Sequence, residues 1–161
     1  MSAQRPLAVL SDNGIEHAVL ALAAMHVGVP VAAISPAYSL MSKDFEKLRG
    51  AIQLLDPGAI YVSDLQQFGS ALAAIAPFHT AAIIGGGATA GEALSYADVV
   101  TTPVNAAIYR AFAAVDADTI AKFLFTSGST AAPKAVINTQ RMLTSSQQAK
   151  AQTWTLSLIH I

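Results

Sequence analysis

The sequence contains no cysteine and few charged residues. Charged side chains make up 12% of its 161 residues, nine basic and ten acidic, and the formal net charge is −1. The absence of cysteine excludes disulfides, thiolate zinc sites and a cysteine nucleophile, and it fits a reducing compartment. The balanced charge argues against the positive surface that binds nucleic acids or anionic membranes. We therefore expect small-molecule partners and no nucleic acid.

The sequence also lacks a hydrophobic run long enough to cross a bilayer. Its longest apolar run, residues 18–34, is interrupted by His26 and Pro30 and is shorter than the roughly 20 residues that a spanning helix needs. The first residues, MSAQRP, lack the apolar stretch of a secretory signal. We expect a cytoplasmic protein without a membrane span.

Apolar residues, in contrast, are abundant. They make up 53% of the chain and give a mean hydropathy of +0.48. The length is close to the roughly 150 residues of one compact domain, which argues against disorder. A small autonomous domain usually covers less hydrophobic surface than this composition provides. We therefore interpret the chain as part of a larger protein.

Strand-like and helix-like patterns alternate along the first half of the chain, and this alternation predicts an α/β fold. It is typical of βαβ units in a largely parallel sheet with helices on both faces. Asp64 and Gln67 form a capping box that predicts the start of the third helix. Four runs have the length and composition of buried strands: 7–10, 29–34, 59–62 and 80–84. Three helices are predicted with these apolar faces: Ile15, Val19 and Leu22; Phe45, Leu48, Ile52 and Leu55; Leu65, Phe68, Leu72 and Ile75.

Two segments are predicted to be loops. Residues 35–39 follow the second strand, at the edge where open α/β sheets bind ligands, so Tyr38 is either a ligand contact or part of a structural turn. The glycine-rich stretch 85–91 lacks the GxGxxG spacing of a dinucleotide-binding turn. We interpret it as a flexible surface connection, and no sustained period follows it up to residue 118.

The segment 123–139 carries the pattern with the clearest chemistry. Its sequence, FLFTSGSTAAPKAVINT, predicts a strand, a loop with one glycine, and a second strand. Backbone amides in such a loop converge on an anion, and Lys134 adds a positive charge. The loop is not a Walker A motif, because no helix follows the lysine directly. Two interpretations of this segment are compatible with its sequence: a phosphate site, and a hairpin turn rich in serine and threonine. The hydroxyls that add donors are those of Thr126, Ser127, Ser129 and Thr130.

The signature within this segment resembles that of a known superfamily. Thr126-Ser127-Gly128-Ser129-Thr130-x-x-Pro133-Lys134 is similar to the phosphate-binding signature of adenylate-forming (AMP-binding) enzymes, which include acyl-CoA synthetases, luciferases and peptide-synthetase adenylation domains. The resemblance extends from about residue 7 to about residue 150 and is weakest across 85–118. The segments that resemble the feruloyl-CoA synthase branch are 10–17, 24–30, 35–40 and 135–143.

Two alanines depart from the superfamily pattern. Ala131 and Ala135 stand at positions where the superfamily usually has glycine, although the feruloyl-type branch accepts alanine at the second position. If residue 131 needs a left-handed backbone, its Cβ costs on the order of 1–2 kcal/mol and weakens phosphate binding.

The resemblance implies an acid:CoA ligase that works in two steps. A carboxylate attacks the α-phosphate of ATP to give an acyl adenylate and pyrophosphate, and coenzyme A then displaces AMP to give the thioester. The implied acid is aromatic, of the hydroxycinnamic type. Mg²⁺ and Lys134 would neutralise charge on the departing pyrophosphate. The residues implied to grip the β- and γ-phosphates are Thr126, Ser127, Gly128, Ser129 and Thr130.

The resemblance also implies that the chain is only the N-terminal part of such a ligase. Residues 1–155 would form an incomplete AMP-binding domain, and the catalytic residues are expected in a missing C-terminal part, so none is assigned here. Residues 156–161 depart from the superfamily pattern and are interpreted as a non-native tail. Two alternatives remain. One is a non-catalytic module that binds ATP or pyrophosphate, and the other is an incomplete domain without activity, which we favour for the isolated chain.

The histidines do not form a recognisable metal site. No two of them have the spacing of metal ligands, so we assign no protein metal site and expect packing or surface roles. The four are His17, His26, His79 and His160.

Overall fold

The predicted alternation of strands and helices is present in the structure. The computed structural model describes residues 1–87, 91, 93–126 and 133–153. The strands are β1 (Leu7–Val9), β2 (Val31–Ala33), β3 (Ala59–Val62), β4 (Ala82–Gly85), β5 (Leu94–Ser95), β6 (Ile120–Thr126) and β7 (Lys134–Thr139). The helices are α1 (Ile15–His26), α2 (Ala37–Leu40), α3 (Glu46–Leu55), α4 (Gly69–Ile75), α5 (Tyr96–Val100), α6 (Ala106–Ala113) and α7 (Gln140–Thr153). A 3-10 helix, Ala76–Phe78, follows α4.

All these strands belong to one sheet. Across the described residues the order is β5-β4-β3-β1-β2-β6-β7. Neighbouring strands are parallel except for β6 and β7, which pair antiparallel. The α/β class and the largely parallel sheet are therefore confirmed.

The sheet is covered by helices on both faces, as predicted. Successive side chains of a strand point to opposite faces, so Ala8 and Leu10 lie in one core while Leu7 and Val9 lie in the other. The first core is closed by α3 and α4, and the second by α1 and part of α5. The helical residues buried in the first core are Leu48, Ala51, Ile52, Leu55, Ala71 and Ile75.

The predicted apolar face of α1 was wrong. Ile15 is 83% exposed and Leu22 is 65% exposed, whereas Leu20 and Ala24 are buried. The buried residues follow Glu16 at intervals of four, so the helix face toward the sheet begins with a charged residue. Val19, at 41% exposed, lies outside this face too.

Glu16 is accommodated at the sheet by a hydrogen bond. The Tyr61 hydroxyl of β3 donates to Glu16 Oε2 at 2.5 Å. Burial, together with the Glu16 carboxylate, raises the pKa of Tyr61 above its ordinary value, so the phenol remains a donor. Because burial of an unpaired carboxylate would be costly, this hydrogen bond allows a helix face that a hydrophobic pattern does not reveal.

Three further local predictions were wrong. Residues 37–39 of the predicted loop 35–39 belong to α2, which extends to Leu40. Asp64 does accept hydrogen bonds from the backbone N–H groups of Gln66 and Gln67, but it caps a turn, and α4 begins only at Gly69. Phe45 lies before α3 with a left-handed backbone, at φ 53°, rather than inside the helix.

The segment 85–118 is also more ordered than predicted. It contains β5, α5 and α6, with Ser95 and Asn105 as side-chain caps of the two helices. Gly85 ends β4, and Gly86 is buried. A Cβ added at Gly86 would lie 2.5 Å from the carbonyl oxygen of Ser63, so the backbone there is closely packed. The start of the glycine-rich stretch is therefore packed against β3 and is not a surface connection. Residues 88–90 and 92 lie outside the described residues.

His79 has a structural role beside the N-terminal arm, residues 1–6, which precedes β1. Its Nδ1 accepts a hydrogen bond from the backbone N–H of Ala81 at 3.0 Å. Burial, and then the nearby Arg5 guanidinium, lower the pKa of His79 below its ordinary value. The neutral imidazole is therefore the form that the fold favours.

This pKa shift predicts a loss of stability in mild acid. A lowered pKa in the folded state means that the unfolded chain takes up the proton first, so the contribution is complete above the unfolded value of about 6.5 and is lost as the pH falls below it. We expect the free energy of unfolding to decrease between about pH 7.5 and 5.5, and to decrease less in His79→Gln. Urea denaturation at both pH values measures the effect. His17→Gln is the control, and equal pH dependence in wild type and His79→Gln would contradict the prediction.

Candidate functional site

The candidate site lies where β6 and β7 are joined. The last residue of β6, Thr126, pairs with the first residue of β7, Lys134, across the antiparallel ladder. Directly opposite residues in such a ladder project from the same face, so the hydroxyl and the ammonium group share one face of the sheet. Both residues are exposed. The segment between them therefore starts and ends at one point of the sheet.

Four of the predicted phosphate-binding residues lie outside the described residues. They are Ser127, Gly128, Ser129 and Thr130. Ala131, where the superfamily usually has glycine, lies outside them too. Of the predicted set, the structure places Thr126 and Lys134 together, and the positions of the other four remain predictions.

The strand order places this point next to the ends of two central strands. β6 pairs in parallel with β2, and β2 pairs in parallel with β1, so Thr126 lies at the carboxyl edge that these strands share. Open α/β sheets bind their ligands at this edge. The position of the hairpin therefore agrees with a ligand-binding role.

A cleft of about 630 Å³ lies at the same edge. Its lining includes Ser11 after β1, Ser35 after β2, Tyr38 of α2 and Phe125 of β6. Lys47 of α3 also lines the cleft, with Nζ 5.6 Å from the centroid of the Tyr38 ring. The sequence left Tyr38 as either a ligand contact or a turn residue, and the structure places it in the cleft beside the residue that precedes Thr126.

The interior of this cleft is polar as well as aromatic. The Ser11 hydroxyl is buried and has no hydrogen-bond partner among the described residues. His17 Nδ1 lies 3.3 Å from the carbonyl oxygen of Asp12. A cation, an aromatic ring and a buried hydroxyl thus lie together next to the hairpin. Such a mixture is typical of clefts that orient a small ligand by a few polar groups.

A second concave surface, a groove of about 770 Å³, also borders the hairpin. It is formed by the N-terminal arm, α3, β6 and β7, and its lining includes Pro6, Leu55, Phe123, Lys134 and Ile137. Most of this lining is apolar. The sequence does not reveal the groove, because its walls come from three segments that are far apart in the chain and share no local pattern.

The described residues contain no cluster suited to a metal ion. Within residues 1–87, 91, 93–126 and 133–153, no group of three or more histidine and carboxylate side chains could hold one. The ring of His26 stacks on Phe112, with centroids 4.2 Å apart, which is a packing contact. His160 lies outside the described residues.

A comparison with protein families identifies the family of this chain. A family model described as "AMP-binding enzyme" matches residues 1–161, the whole chain. The chain belongs to the AMP-binding enzyme family. The hairpin between Thr126 and Lys134 is thus the part of a family member that carries the signature predicted to bind phosphate. No curated protein sequence matches this family member.

Solved structures confirm the fold of this AMP-binding family member. A putative long-chain-fatty-acid CoA ligase from Rhodopseudomonas palustris superposes with a TM-score of 0.77 at 16% identity, covering 98% of this chain and 37% of that one. MbtA from Mycobacterium smegmatis gives 0.70 at 23% identity, with coverages of 95% and 28%. A red-emitting luciferase from Phrixothrix hirtus gives 0.66 at 17% identity, with coverages of 88% and 27%.

The chain is short compared with these structures. It spans between 27% and 37% of the length of the three. It corresponds to the N-terminal part of the adenylate-forming fold. Among the described residues, no helix combines the length and apolarity that crossing a membrane requires.

Proposed function

We propose that this chain is the N-terminal part of an ATP-dependent acid:CoA ligase and contributes its phosphate-binding loop. The observation that carries the proposal is the pairing of Thr126 with Lys134 at the carboxyl edge of the parallel sheet. This pairing holds both ends of the signature segment beside a cleft, in a chain that belongs to the AMP-binding enzyme family. ATP, coenzyme A and a small carboxylic acid are the proposed substrates.

The proposed reaction has two steps. A carboxylate oxygen of the acid attacks the α-phosphorus of ATP, and the bond from this phosphorus to the bridging oxygen of the β-phosphate breaks, which releases pyrophosphate. The sulfur of coenzyme A then attacks the carbonyl carbon of the acyl adenylate, AMP leaves, and the thiol proton passes to solvent. The chain acts on the first step, because negative charge increases on the departing pyrophosphate.

The residues of this chain would stabilise that charge. The hydroxyls and amides of residues 126–130 would hold the β- and γ-phosphates, and Lys134 would supply a fixed positive charge close to the leaving group. Donors that are already in place stabilise developing charge without reorganisation. Mg²⁺ that enters as a complex with ATP would add positive charge to the same phosphates.

The acid, the missing part and the compartment are finer proposals. Four segments that resemble the feruloyl-CoA synthase branch support an aromatic, hydroxycinnamic acid. The span of 27–37% of the solved structures supports catalytic residues in a further part of a longer protein, with residues 1–155 as an incomplete domain. The proposed non-native tail, residues 156–161, rests on its departure from the superfamily pattern. The absence of cysteine supports a cytoplasmic location.

Carboxylate-dependent exchange of labelled pyrophosphate into ATP tests the ligase, in the longest protein that contains this chain. We expect exchange with hydroxycinnamic acids and little with aliphatic acids of similar size. Exchange with aliphatic acids alone would refute the aromatic substrate and leave the ligase standing. If no acid supports exchange, the ligase is refuted.

The second candidate function is a module that binds ATP or pyrophosphate without turnover. The observation that favours it is the pairing of Thr126 with Lys134, which places a hydroxyl and an ammonium group on one face of the sheet within this chain. Calorimetric titration of the 161-residue chain with ATP separates this candidate from an inactive fragment. Saturable ATP binding without exchange supports the module, and the absence of binding supports the fragment.

A further inference from the structure

Gly50 of helix α3 lies against Pro133, at the end of the proposed phosphate loop. A Cβ atom added to Gly50 would lie 3.1 Å from Cγ and 3.2 Å from Cδ of Pro133. Pro133 is the last residue before Lys134 and belongs to the signature itself. The proline ring therefore packs directly on the backbone of α3, in a space that a larger residue would fill.

The backbone of Gly50 does not itself require glycine. Gly50 lies within α3 and is not one of the described glycines with a positive φ, which are Gly28, Gly87 and Gly91. Glycine within a helix is destabilising relative to alanine, because it loses more conformational freedom on folding. The close approach of Pro133 is therefore the structural reason for glycine at position 50.

The helix that receives the proline is firmly held. Leu48 and Ile52, on either side of Gly50, are fully buried in the core between α3 and the sheet. Lys47 lies three residues before Gly50, on the neighbouring part of the helix surface, and lines the cleft at the carboxyl edge. A fixed element thus contacts both the cleft and the end of the loop.

We propose that Gly50 is a positioning residue for the phosphate loop, an inference that rests on the proposed function. The ring of Pro133 fixes the backbone φ of this residue and lies against α3. The contact therefore fixes the point at which the chain enters β7. Lys134 is the next residue, and its ammonium group takes its position from this point. A methyl group at position 50 would displace the proline by a few tenths of an ångström and move the lysine away from the phosphates.

The test measures the effect of Gly50→Ala on two quantities, thermal stability and ATP affinity, which should change in opposite directions. Gly50→Ala should leave the thermal midpoint unchanged or raise it, because alanine favours the helix. The same substitution should weaken ATP binding by about fivefold to tenfold, because small displacements of a charged group cost affinity. In the exchange assay the KM for ATP should rise while the KM for the carboxylic acid stays constant. A role confined to helix stability would not produce this combination.

Two further variants complete the design. Gly69→Ala is the matched control, since a Cβ at this helical glycine would meet no atom within 4 Å, and it should bind ATP as the wild type does. Pro133→Ala removes Cγ and Cδ, so adding Gly50→Ala to it should change ATP affinity by less than about twofold. If Gly50→Ala fails to fold, Pro133→Ala alone tests the contact, because it removes atoms and should weaken ATP binding.

The outcomes separate this inference from the proposed function. Equal ATP affinity in wild type and Gly50→Ala, with wild type binding ATP, overturns the positioning role alone. Equal losses from Gly50→Ala in the presence and absence of Pro133 overturn it as well, and so does unchanged affinity in Pro133→Ala when that variant alone can be measured. If wild type neither binds ATP nor supports exchange, the proposed function itself fails.

Discussion

Lys134→Ala is expected to lower carboxylate-dependent ATP–pyrophosphate exchange by about 100-fold or more, which is the typical loss when a fixed electrostatic donor is removed from a reacting centre. Lys134 is exposed at the start of β7 and pairs with Thr126, so its side chain does not stabilise a core. The loss should therefore appear in exchange rate and ATP affinity, with the thermal midpoint close to that of wild type.

The matched control for this variant is Lys150→Ala. Lys150 is an exposed lysine in the last turn of α7, outside the signature, and its removal should leave exchange unchanged. Lys134→Arg keeps the charge but changes the shape of the donor group, and it should retain part of the rate. Wild-type exchange in Lys134→Ala would show that the lysine does not stabilise the leaving group.

Phe68→Ala is expected to lower the free energy of unfolding by about 3–5 kcal/mol, the usual cost of removing a large aromatic side chain from a core. Phe68 is 1% exposed and belongs to the core between the sheet and helices α3 and α4. A loss of this size is a large part of the roughly 5–15 kcal/mol that stabilises a typical domain. Urea denaturation at neutral pH measures it.

Phe78→Ala provides the comparison on the same side of the molecule. Phe78 ends the 3-10 helix after α4 and is 39% exposed, so its removal creates a smaller cavity and should cost clearly less. Equal losses in the two variants would contradict the description of a single closed core around Phe68.

Local sequence patterns were sufficient to predict an element or its buried face where one type of residue dominates. The run 59–62 was predicted as a strand and forms β3 with the same bounds. The predicted face of α3 was right at Leu48, Ile52 and Leu55, because charged residues on its other side left one choice.

The same approach failed where the burial of a face depends on a distant partner. Helix α1 is apolar on most sides, so its pattern does not reveal that the face with Glu16, Leu20 and Ala24 meets the sheet. Helices α5 and α6 have five and eight residues, which is too short for a sustained period. Their position depends on tertiary packing rather than on periodicity.

The candidate site divides in the same way. Thr126 and Lys134 could be predicted as phosphate-binding residues because the signature that contains them is continuous in sequence. The contact between Gly50 and Pro133 joins positions more than 80 residues apart, and nothing in the local sequence marks it. A glycine inside an amphipathic helix is the one available signal, since helices rarely gain from glycine at such positions.

The strand order has a consequence for synthesis. β2 pairs with β1 on one side and with β6 on the other, where Val31 lies opposite Lys122. The pair β2 and β6 has the longest separation in sequence of any two neighbouring strands in the described sheet. About 90 residues must be translated between these strands, which takes roughly 5 to 18 seconds at about 5–20 residues per second. During this interval the backbone N–H and C=O groups along one side of β2 have no partner within the chain. An unpaired strand edge is a template for pairing with another chain, so nascent chains on neighbouring ribosomes can mispair at β2 until β6 emerges.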